Sequence, residues 1–463
     1  MAHQIVVMGV CGSGKSAVAQ ALAAALGASA VDADDLHSPQ AVDKMRSGQA
    51  LDEQDREPWL DRVGAVLAQG AAEGFDVVMA CSALRRVYRD RLRRACPGLR
   101  FVFLDGSRAL IAERLGRRRG HYMPASLLDS QLQLLERPSS EETDVLRVGI
   151  DQALHAVVEQ SRAALGVPVF RVAVVGVGIM GQSIARRLLA CGHRVALFDL
   201  DASKLEPLVL LGAHAASSAA QAARGADFVI TSLNSAHIVR SAVFGPGGIC
   251  EGLGAAALVI DMSSIDPPST RQLCEELRQR CGAGWVDAPL SGGAPKAALG
   301  RLTVMAGGSD ADVTRARALM KDLCANFTHM GPSGAGQTTK LVNQLLCAIG
   351  FQAVAEAVRL AESGGVDAAR LAQALQGGRA DSQILAEFGP KMAARDFTPT
   401  GRIDNMLKDL EAVQAFSQSQ RLPLPLTAHI AELHRAFVAA GVGAEDTVAM
   451  MKQFNGFAAD SQT

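Results

Sequence analysis

Two stretches of the 463-residue chain begin alike. Ile5, Val6, Val7 and Met8 run into Gly9-Val10-Cys11-Gly12-Ser13-Gly14-Lys15-Ser16. Val172, Ala173, Val174 and Val175 run into Gly176-Val177-Gly178-Ile179-Met180-Gly181. Each is a continuous apolar run, then a glycine loop, then a helical pattern over residues 17–26 or 183–190. A run without polar alternation fits a strand buried on both faces of a parallel sheet. The chain therefore starts an α/β domain twice.

A closing helix is predicted over residues 151–165, with Gly166 and Pro168 as punctuation. Strand patterns then recur at 195–198, 228–231, 258–261, 285–288 and 302–306. After Gly334 they stop. Helical patterns fill 337–363, 368–375, 384–394, 403–419, 426–440 and 444–457. The expected division is 1–165, 169–331 and an all-α region at 332–463. At about 150 residues per domain, the length also suggests three.

Composition narrows the class. Hydrophobic residues make up 49% and charged residues 20%, which excludes a disordered chain. A net charge of −1 argues against a nucleic-acid binder. The 9 cysteines form no CxxC pair, so free thiols in a reducing cytoplasm are expected, without disulfides or a zinc site. The glycine loop begins within ten residues of the start, which leaves no room for a signal peptide. No run of about 18 uncharged apolar residues suggests a membrane span. The most apolar stretch, 341–358, carries Asn343, Gln344, Gln352 and Glu356 and reads as a buried helix of a soluble protein.

Gly9 to Ser16 fits G-x-x-x-x-G-K-S, the loop whose backbone N–H groups surround a polyphosphate. Gly9, Gly12, Ser13 and Gly14 form the cradle. Lys15 reaches the β- and γ-phosphates, and Ser16 sits where a Mg²⁺ ligand is needed. Asp32, Asp34 and His37 follow the next apolar run, and an Asp there can take a hydroxyl proton or support the metal. Asp55, Arg56, Pro58 and Trp59 fall on a polar helix, and Cys81 to Arg85 follow a strand at 77–80. Arg114, Arg117, Arg118, Arg119 and His121 read either as a solvated face or as a lid over the transferring phosphate.

Residues 1–165 resemble the thermoresistant-type gluconokinases over that family's length. The resemblance is carried by the P-loop, Asp32-Ala33-Asp34-Asp35-Leu36-His37, Lys44-Met45 with Gly48, Asp55-Arg56 with Pro58-Trp59, Cys81-Ser82-Ala83-Leu84, Tyr88-Arg89-Asp90 and Gly120-His121. It implies ATP- and Mg²⁺-dependent phosphorylation of the 6-hydroxyl of D-gluconate. Asp34 is then the base, and Arg56, Arg89 and His121 contact gluconate or phosphate. The family often has Asp-Gly-Asp where this chain has Asp32-Ala33-Asp34, so the backbone there must not need positive φ.

Gly176 to Gly181 fits G-x-G-x-x-G between a strand and a helix. Asp199 ends the next strand, 23 residues beyond Gly176, close to the spacing of an acid on a ribose 2′-hydroxyl. A carboxylate repels a 2′-phosphate, so NAD is expected over NADP. Asp261-Met262-Ser263-Ser264 ends one strand, and Asp287-Ala288-Pro289-Leu290-Ser291-Gly292-Gly293 ends another. Ser291 to Gly293 offer unhindered N–H donors for a carboxylate. Lys340, Asn343 and Gln344 share one helix face. A desolvated lysine there can exchange a proton with a substrate hydroxyl as hydride moves.

Residues 169–463 resemble the β-hydroxyacid dehydrogenases. The carriers are Gly-Val-Gly-Ile-Met-Gly, Asp-Met-Ser-Ser, Ser-Gly-Gly, Gly334-Ala335-Gly336 with Lys340 and Asn343, and Lys408-Asp409-Leu410. The resemblance implies that Lys340 is the acid/base and that Ser264, Ser291, Gly292, Gly293 and Asn343 hold substrate. Gly176, Gly178, Ile179, Met180, Gly181, Asp199, Asn234 and Lys408 then line the cofactor. Asn234 stands where the family commonly has Pro. Gly293-Ala294-Pro295-Lys296-Ala297, Lys340-Leu341-Val342-Asn343-Gln344, and Arg395-Asp396-Phe397 with Arg402-Ile403-Asp404 are most similar to tartronate semialdehyde reductases, with threonate-type dehydrogenases near. In the family the helical region packs between subunits, so a homo-oligomer is expected.

The expected function is a bifunctional enzyme acting on small sugar acids. A 6-phosphogluconate dehydrogenase resembles Lys-x-x-His-Asn with a Glu seven positions after the Lys. Here those positions hold Asn343, Gln344 and Cys347, which favours a non-decarboxylating reductase. A regulatory reading, with one half inactive, is disfavoured because Lys15, Ser16, Asp34, Lys340 and Asn343 are all present.

Overall fold

The computed structural model describes residues 3–46, 49, 51–116 and 125–454. The first apolar run is strand β1 (Gln4–Met8), buried throughout. With β2 (Ser29–Asp32), β3 (Val77–Ala80), β4 (Arg100–Asp105) and β5 (Val145–Gly149) it forms a five-stranded sheet in the order β2-β3-β1-β4-β5. Every pairing in it is parallel. Helices cover both faces, which is why the run lacks alternation: Ile5 and Val7 enter one core, Val6 and Met8 the other.

The second run is β6 (Arg171–Val175), and it divides in the same way between two cores. The strands after it are β7 (Arg194–Phe198), β8 (His214–Ala215), β9 (Phe228–Thr231), β10 (Leu258–Asp261), β11 (Gly284–Asp287), β12 (Leu290–Ser291), β13 (Leu302–Gly307) and β14 (Cys324–Gly331). They form a nine-stranded sheet in the order β12-β13-β11-β10-β9-β6-β7-β8, with β14 beside β13. From β8 through β11 the pairing is parallel; β13 turns back antiparallel to β11 and β12. A 29-residue helix (Ala335–Ser363) follows, packed by helices Gln383–Ala394, Ile403–Ser419 and Pro425–Ala439. The architecture is a P-loop α/β unit, a Rossmann-type unit and a helical region.

Several expectations change. β4 and β5 were not read from the sequence: Arg147 interrupts β5, and in β4 the apolar run Phe101–Leu104 is only four residues long between Arg100 and Asp105. β14 is a half-exposed edge strand with many polar positions. The helix expected at 444–457 is a 3-10 helix, Thr447–Phe454, and residues 455–457 lie outside the described residues. The expectation of free thiols throughout is corrected, since Cys250 and Cys281 form a disulfide. They are 31 residues apart and meet only because the short helix Ile249–Gly252 packs against helix Pro267–Cys281. The remaining seven cysteines form no disulfide. The 29-residue helix is long and apolar enough to cross a membrane by length and composition, and 33% of its apolar window is buried. The buried helix expected there is thus covered on one side only. Val342, Leu346 and Leu360 lie open on the other.

Candidate active sites

In the N-terminal unit, Gly9, Gly12 and Gly14 take φ of 150°, 78° and 94°. That backbone turns the chain tightly into helix Lys15–Leu26, whose open N-terminal end suits an anion. Lys15 Nζ donates to the Val10 carbonyl at 3.2 Å. Burial pushes its pKa down, and the nearby Asp34 carboxylate opposes this. Ser16 Oγ donates to Asp32 Oδ2 at 2.7 Å. This hydroxyl and carboxylate, beside the phosphate cradle, are an oxygen donor set that suits Mg²⁺.

Asp34 lies in the 3-10 turn Ala33–Leu36 that follows β2, and the Asp32 side chain caps the turn by accepting from the Asp34 N–H. Burial, then Asp32, pushes the Asp34 carboxyl up, while Lys15 pulls it down. Ala33 is buried, lies outside the left-handed region, and its carbonyl accepts from Trp59 Nε1 at 2.7 Å. The extra methyl is therefore accommodated. His37 stacks on Trp59 with ring centroids 4.6 Å apart. Arg56 approaches the Tyr88 hydroxyl at 3.5 Å and Glu53 at 3.6 Å.

Arg89, expected at gluconate or phosphate, has its donors engaged by protein groups. It is fully buried and forms a bidentate pair with Glu142, at 2.7 and 2.6 Å. It also donates to the carbonyls of Ala83, Leu84 and Glu136. Its hydrogen bonds with Arg89 hold the Glu142 carboxyl down at about 2. The helix Arg86–Ala95 turns this side chain inward, which linear spacing did not reveal. His121 and Arg117 to Arg119 lie outside the described residues. Arg114 donates to the Ile150 carbonyl. Gln131, absent from the sequence reading, accepts from the Cys11 N–H of the loop at 2.7 Å. It is 120 residues away and carries no motif.

The second glycine loop lies at the carboxyl end of β6, flanked by the ends of β7 and β9. A Cβ on Gly181 would lie 1.9 Å from the Gly176 carbonyl oxygen, and one on Gly176 would lie 2.5 Å from that of Ser232. Gly178, at the N-cap of helix Ile179–Ala190, has open space around it. The loop is thus pressed against protein at its ends and open in the middle, as a pyrophosphate cradle must be. Ile179 and Met180 form the first turn, with Ile179 exposed. Asp199 accepts from Val177 N–H at 2.7 Å and Asp201 N–H at 3.0 Å, with Lys204 Nζ at 3.2 Å. Burial raises its pKa, but these donors outweigh it and leave the carboxyl below its ordinary value. The set fits a nicotinamide dinucleotide.

The substrate side is built on two adjacent strand ends. Asp261 and Asp287 lie in register on β10 and β11. Asp261 accepts from Thr231 Oγ1 and Ser263 N–H, and burial pushes it up to about 6. Asp287 accepts from Gly334 N–H at 2.8 Å and Gln337 N–H at 3.0 Å, the open end of the long helix. Gln337 donates to the Ser263 carbonyl at 2.8 Å, tying that loop to the helix. Exposed Ser264 follows it. Ser291, Gly292 and Gly293 leave β12, with Gly292 and Gly293 at positive φ.

Lys340 lies on the second turn of the long helix. Its Nζ donates to Gln344 Oε1 at 2.8 Å, and Asn343 Nδ2 donates to the same oxygen. The Gln344 amide in turn donates to Asp409. Burial pushes the Lys340 pKa down, and Asp409 opposes this. Asp261, Asp287, Gln337 and Asp409 were not assigned site roles from sequence. The first two stood in the strand-end motifs, and Asp409 beside Lys408.

Residues 171–331 match the family described as the NAD binding domain of 6-phosphogluconate dehydrogenase. Residues 334–454 match the NAD-binding domain of NADP-dependent 3-hydroxyisobutyrate dehydrogenase, and residues 5–138 match an AAA domain. The 2-hydroxy-3-oxopropionate reductase of Escherichia coli (strain K12) is 33% identical over 278 residues, 60% of this chain and 94% of the relative. The structure of 3-hydroxyisobutyrate dehydrogenase from Mycobacterium tuberculosis superposes with a TM-score of 0.58 at 28% identity, covering 62% of this chain and all of that one. A gluconokinase from Sinorhizobium meliloti 1021 is 46% identical, with a TM-score of 0.33, over 35% of this chain and 91% of that one.

From residue 171 onward, the chain belongs to the β-hydroxyacid dehydrogenase family.

The chain is a fusion of a kinase-like P-loop half with a dehydrogenase half. In the dehydrogenase half, Lys408 Nζ donates to the Asn234 carbonyl at 3.2 Å. That contact joins the helical region to the loop after β9, beside the dinucleotide cradle. Asn234 contributes its backbone here, so the missing Pro costs the contact nothing. Replacing Arg89 by Met should leave Glu142 with Arg93 alone, at 2.8 Å, and the Ala83, Leu84 and Glu136 carbonyls without the Arg89 donors. We expect a loss of about 1–3 kcal/mol in the kinase-like half. Urea unfolding followed by far-UV circular dichroism reads it, and an unchanged stability would overturn the structural role of Arg89.

Proposed function

We propose that the chain is a bifunctional enzyme. Its kinase half phosphorylates D-gluconate to 6-phosphogluconate with ATP. Its dehydrogenase half reduces tartronate semialdehyde to glycerate, or oxidises a closely related β-hydroxyacid, with NAD(H). The observation that carries the second reading is Lys340, desolvated on a helix whose open end is seated on Asp287. The name of the Escherichia coli relative and the Lys340–Gln344 motif support the substrate class.

In the kinase half, the loop N–H groups and Lys15 hold the phosphates. A divalent cation held by Ser16 and Asp32 neutralises phosphate charge when bound. Asp34 takes the proton from the attacking primary hydroxyl, the oxygen bonds to the γ-phosphorus, and ADP departs. Arg56 and the His37–Trp59 pair present polar and flat surfaces for a polyol.

In the dehydrogenase half, bound nicotinamide supplies or accepts the hydride. Ser291, Gly292, Gly293, Ser264 and Asn343 hold the carboxylate and hydroxyl. During reduction the Lys340 ammonium gives a proton to the carbonyl oxygen; during oxidation the neutral amine takes it back. Asp199 favours NAD by repelling a 2′-phosphate. Cys347 stands where a decarboxylating enzyme needs an acid. Burial pushes its thiol up, making it a still weaker one, so CO₂ release is not part of this reading.

Substrate assays of the full chain test both halves. Lys15→Ala should abolish gluconate phosphorylation and spare dehydrogenase turnover, and Lys340→Ala should do the reverse. Robust CO₂ release from 6-phosphogluconate would overturn the non-decarboxylating reading. So would a lack of activity on every three- or four-carbon hydroxyacid tested.

The pH dependence has a definite sign. The lowered Lys340 pKa should appear in kcat as a limb below the ordinary lysine value of about 10.4. Oxidation rises with pH through that limb and reduction falls. Asp409→Asn removes the charge that supports the ammonium, so both limbs should move to lower pH.

We further propose that the dehydrogenase half self-associates through the open face of the long helix. Val342, Leu346 and Leu360 are exposed there on one apolar stripe. Light scattering should give a dimer or larger, and Leu346→Asp should reduce it to a monomer. A monomeric wild type would dismiss this.

A further inference from the structure

The last helix of the kinase half, Leu154–Ala164, does not end in a loose tether. It packs between the P-loop helix Lys15–Leu26 and the dinucleotide helix Ile179–Ala190. Arg162 on this helix is completely buried. Its guanidinium donates to the Cys191 carbonyl, to the Pro168 carbonyl at 3.2 Å, and to Asp322 Oδ2 at 3.0 Å. Asp322, after helix Asp310–Met320, belongs to the dehydrogenase half and is itself buried.

A third group completes the cluster. His193 Nδ1 accepts from the Phe170 N–H at 3.1 Å, so the ring's proton sits on Nε2. Nε2 then donates to Asp322 Oδ2 at 2.8 Å. Burial keeps the His193 pKa down, which fits this neutral tautomer. The Asp322 carboxylate thus faces the Arg162 guanidinium and a neutral imidazole, while the partly buried Arg187 donates to the Asp322 carbonyl at 2.8 Å. A buried arginine facing a foreign domain is tolerated only with such partners.

The surfaces around the cluster are shaped to each other. Cys191 of the dehydrogenase half lies inside the kinase core, with Val158 and Leu165. A Cβ on Gly192 would lie 3.1 Å from the Glu159 nitrogen. One on Gly212 would lie 2.5 Å from the His155 ring. The connection is fastened too: Val167 N–H donates to the Arg162 carbonyl at 2.9 Å, and Arg194 N–H to that of Phe170 at 3.0 Å. Buried charge pairing, two close approaches at glycine and a tied connection are independent features, and all point the same way.

We propose that the kinase half is the permanent docking partner of the dehydrogenase half, clamped by Arg162, Asp322 and His193, so that the two fold and move as one body. The surface on the dehydrogenase half, centred on residues 191–194, Gly212 and Asp322, is specific for the helix Leu154–Ala164. The two active sites therefore keep a fixed separation and orientation. This rests on neither catalytic reading.

The test uses the full chain with a protease site inserted between Gly166 and Val167. After cleavage, the two fragments should still co-elute in gel filtration, and calorimetry should show one unfolding transition. Arg162→Met should split that transition in two and let the cleaved fragments separate. The exposed pair Glu159–Arg194, removed as Glu159→Ala, serves as a control that should match wild type. Should Arg162→Met not be recovered folded, Gly212→Trp, which displaces His155, carries the same expectation. Cleaved wild-type fragments that separate, or a wild type that melts in two transitions, would overturn the proposal. So would an Arg162→Met or Gly212→Trp protein indistinguishable from wild type.

Discussion

Asp287 is where the second sheet and the long helix become one structure. Its two oxygens accept from Gly334 and Gln337, two of the donors that a helix start leaves open. A buried carboxylate can stay there only because those donors, and the helix's positive end, meet it. The fit is close enough that a Cβ on Gly336 would lie 2.5 Å from the Met305 carbonyl oxygen. Lys340 is one turn further along, so its position against the strand ends follows from this one contact. Gln337 extends the same junction to the Ser263 loop. What the helix carries, and how far Lys340 stands from water, is set here.

The kinase half solves its positioning problem with the opposite charge. Arg89 is its buried ion, and it spends its donors on Glu142 and on the carbonyls of Ala83, Leu84 and Glu136. Ala83 has φ of 42°, an unusual value for a residue with a side chain. Arg89 holds that turn in the loop after β3, where the Ser82 carbonyl accepts from the Gly9 N–H. The residue is thus coupled to the P-loop through backbone. Between the halves, Arg162 repeats the device. In each of the three places a buried charge is bound to backbone groups from separate segments of the chain.

Much of the fold was legible because helices and parallel strands write local patterns. Strands at 77–80, 228–231 and 258–261 and the helix at 403–419 were read to the residue. The glycine loops were legible because a phosphate cradle constrains consecutive residues. β5 and β14 were not, since an edge strand buries too little to enforce an apolar run. The Cys250–Cys281 pair was not, since nothing local distinguishes two cysteines that will meet. The burial of Arg89 on Glu142 was not legible for a related reason: it stands in a motif, and a motif does not say which way an arginine points.

The sequence by itself determined the order of units, both cradles and the residue types available for proton transfer. Each of these depends on neighbours within about one turn or one strand. Only the tertiary structure decided which charges are buried against which. It set Lys340 with Asp409, Asp287 under the helix start, Arg89 on Glu142, and Arg162 between Asp322 and the Cys191 carbonyl. Those partners lie from 29 to 160 residues apart in the chain. Desolvation has no sequence signature, because it is created by whatever folds over a group rather than by the group's neighbours.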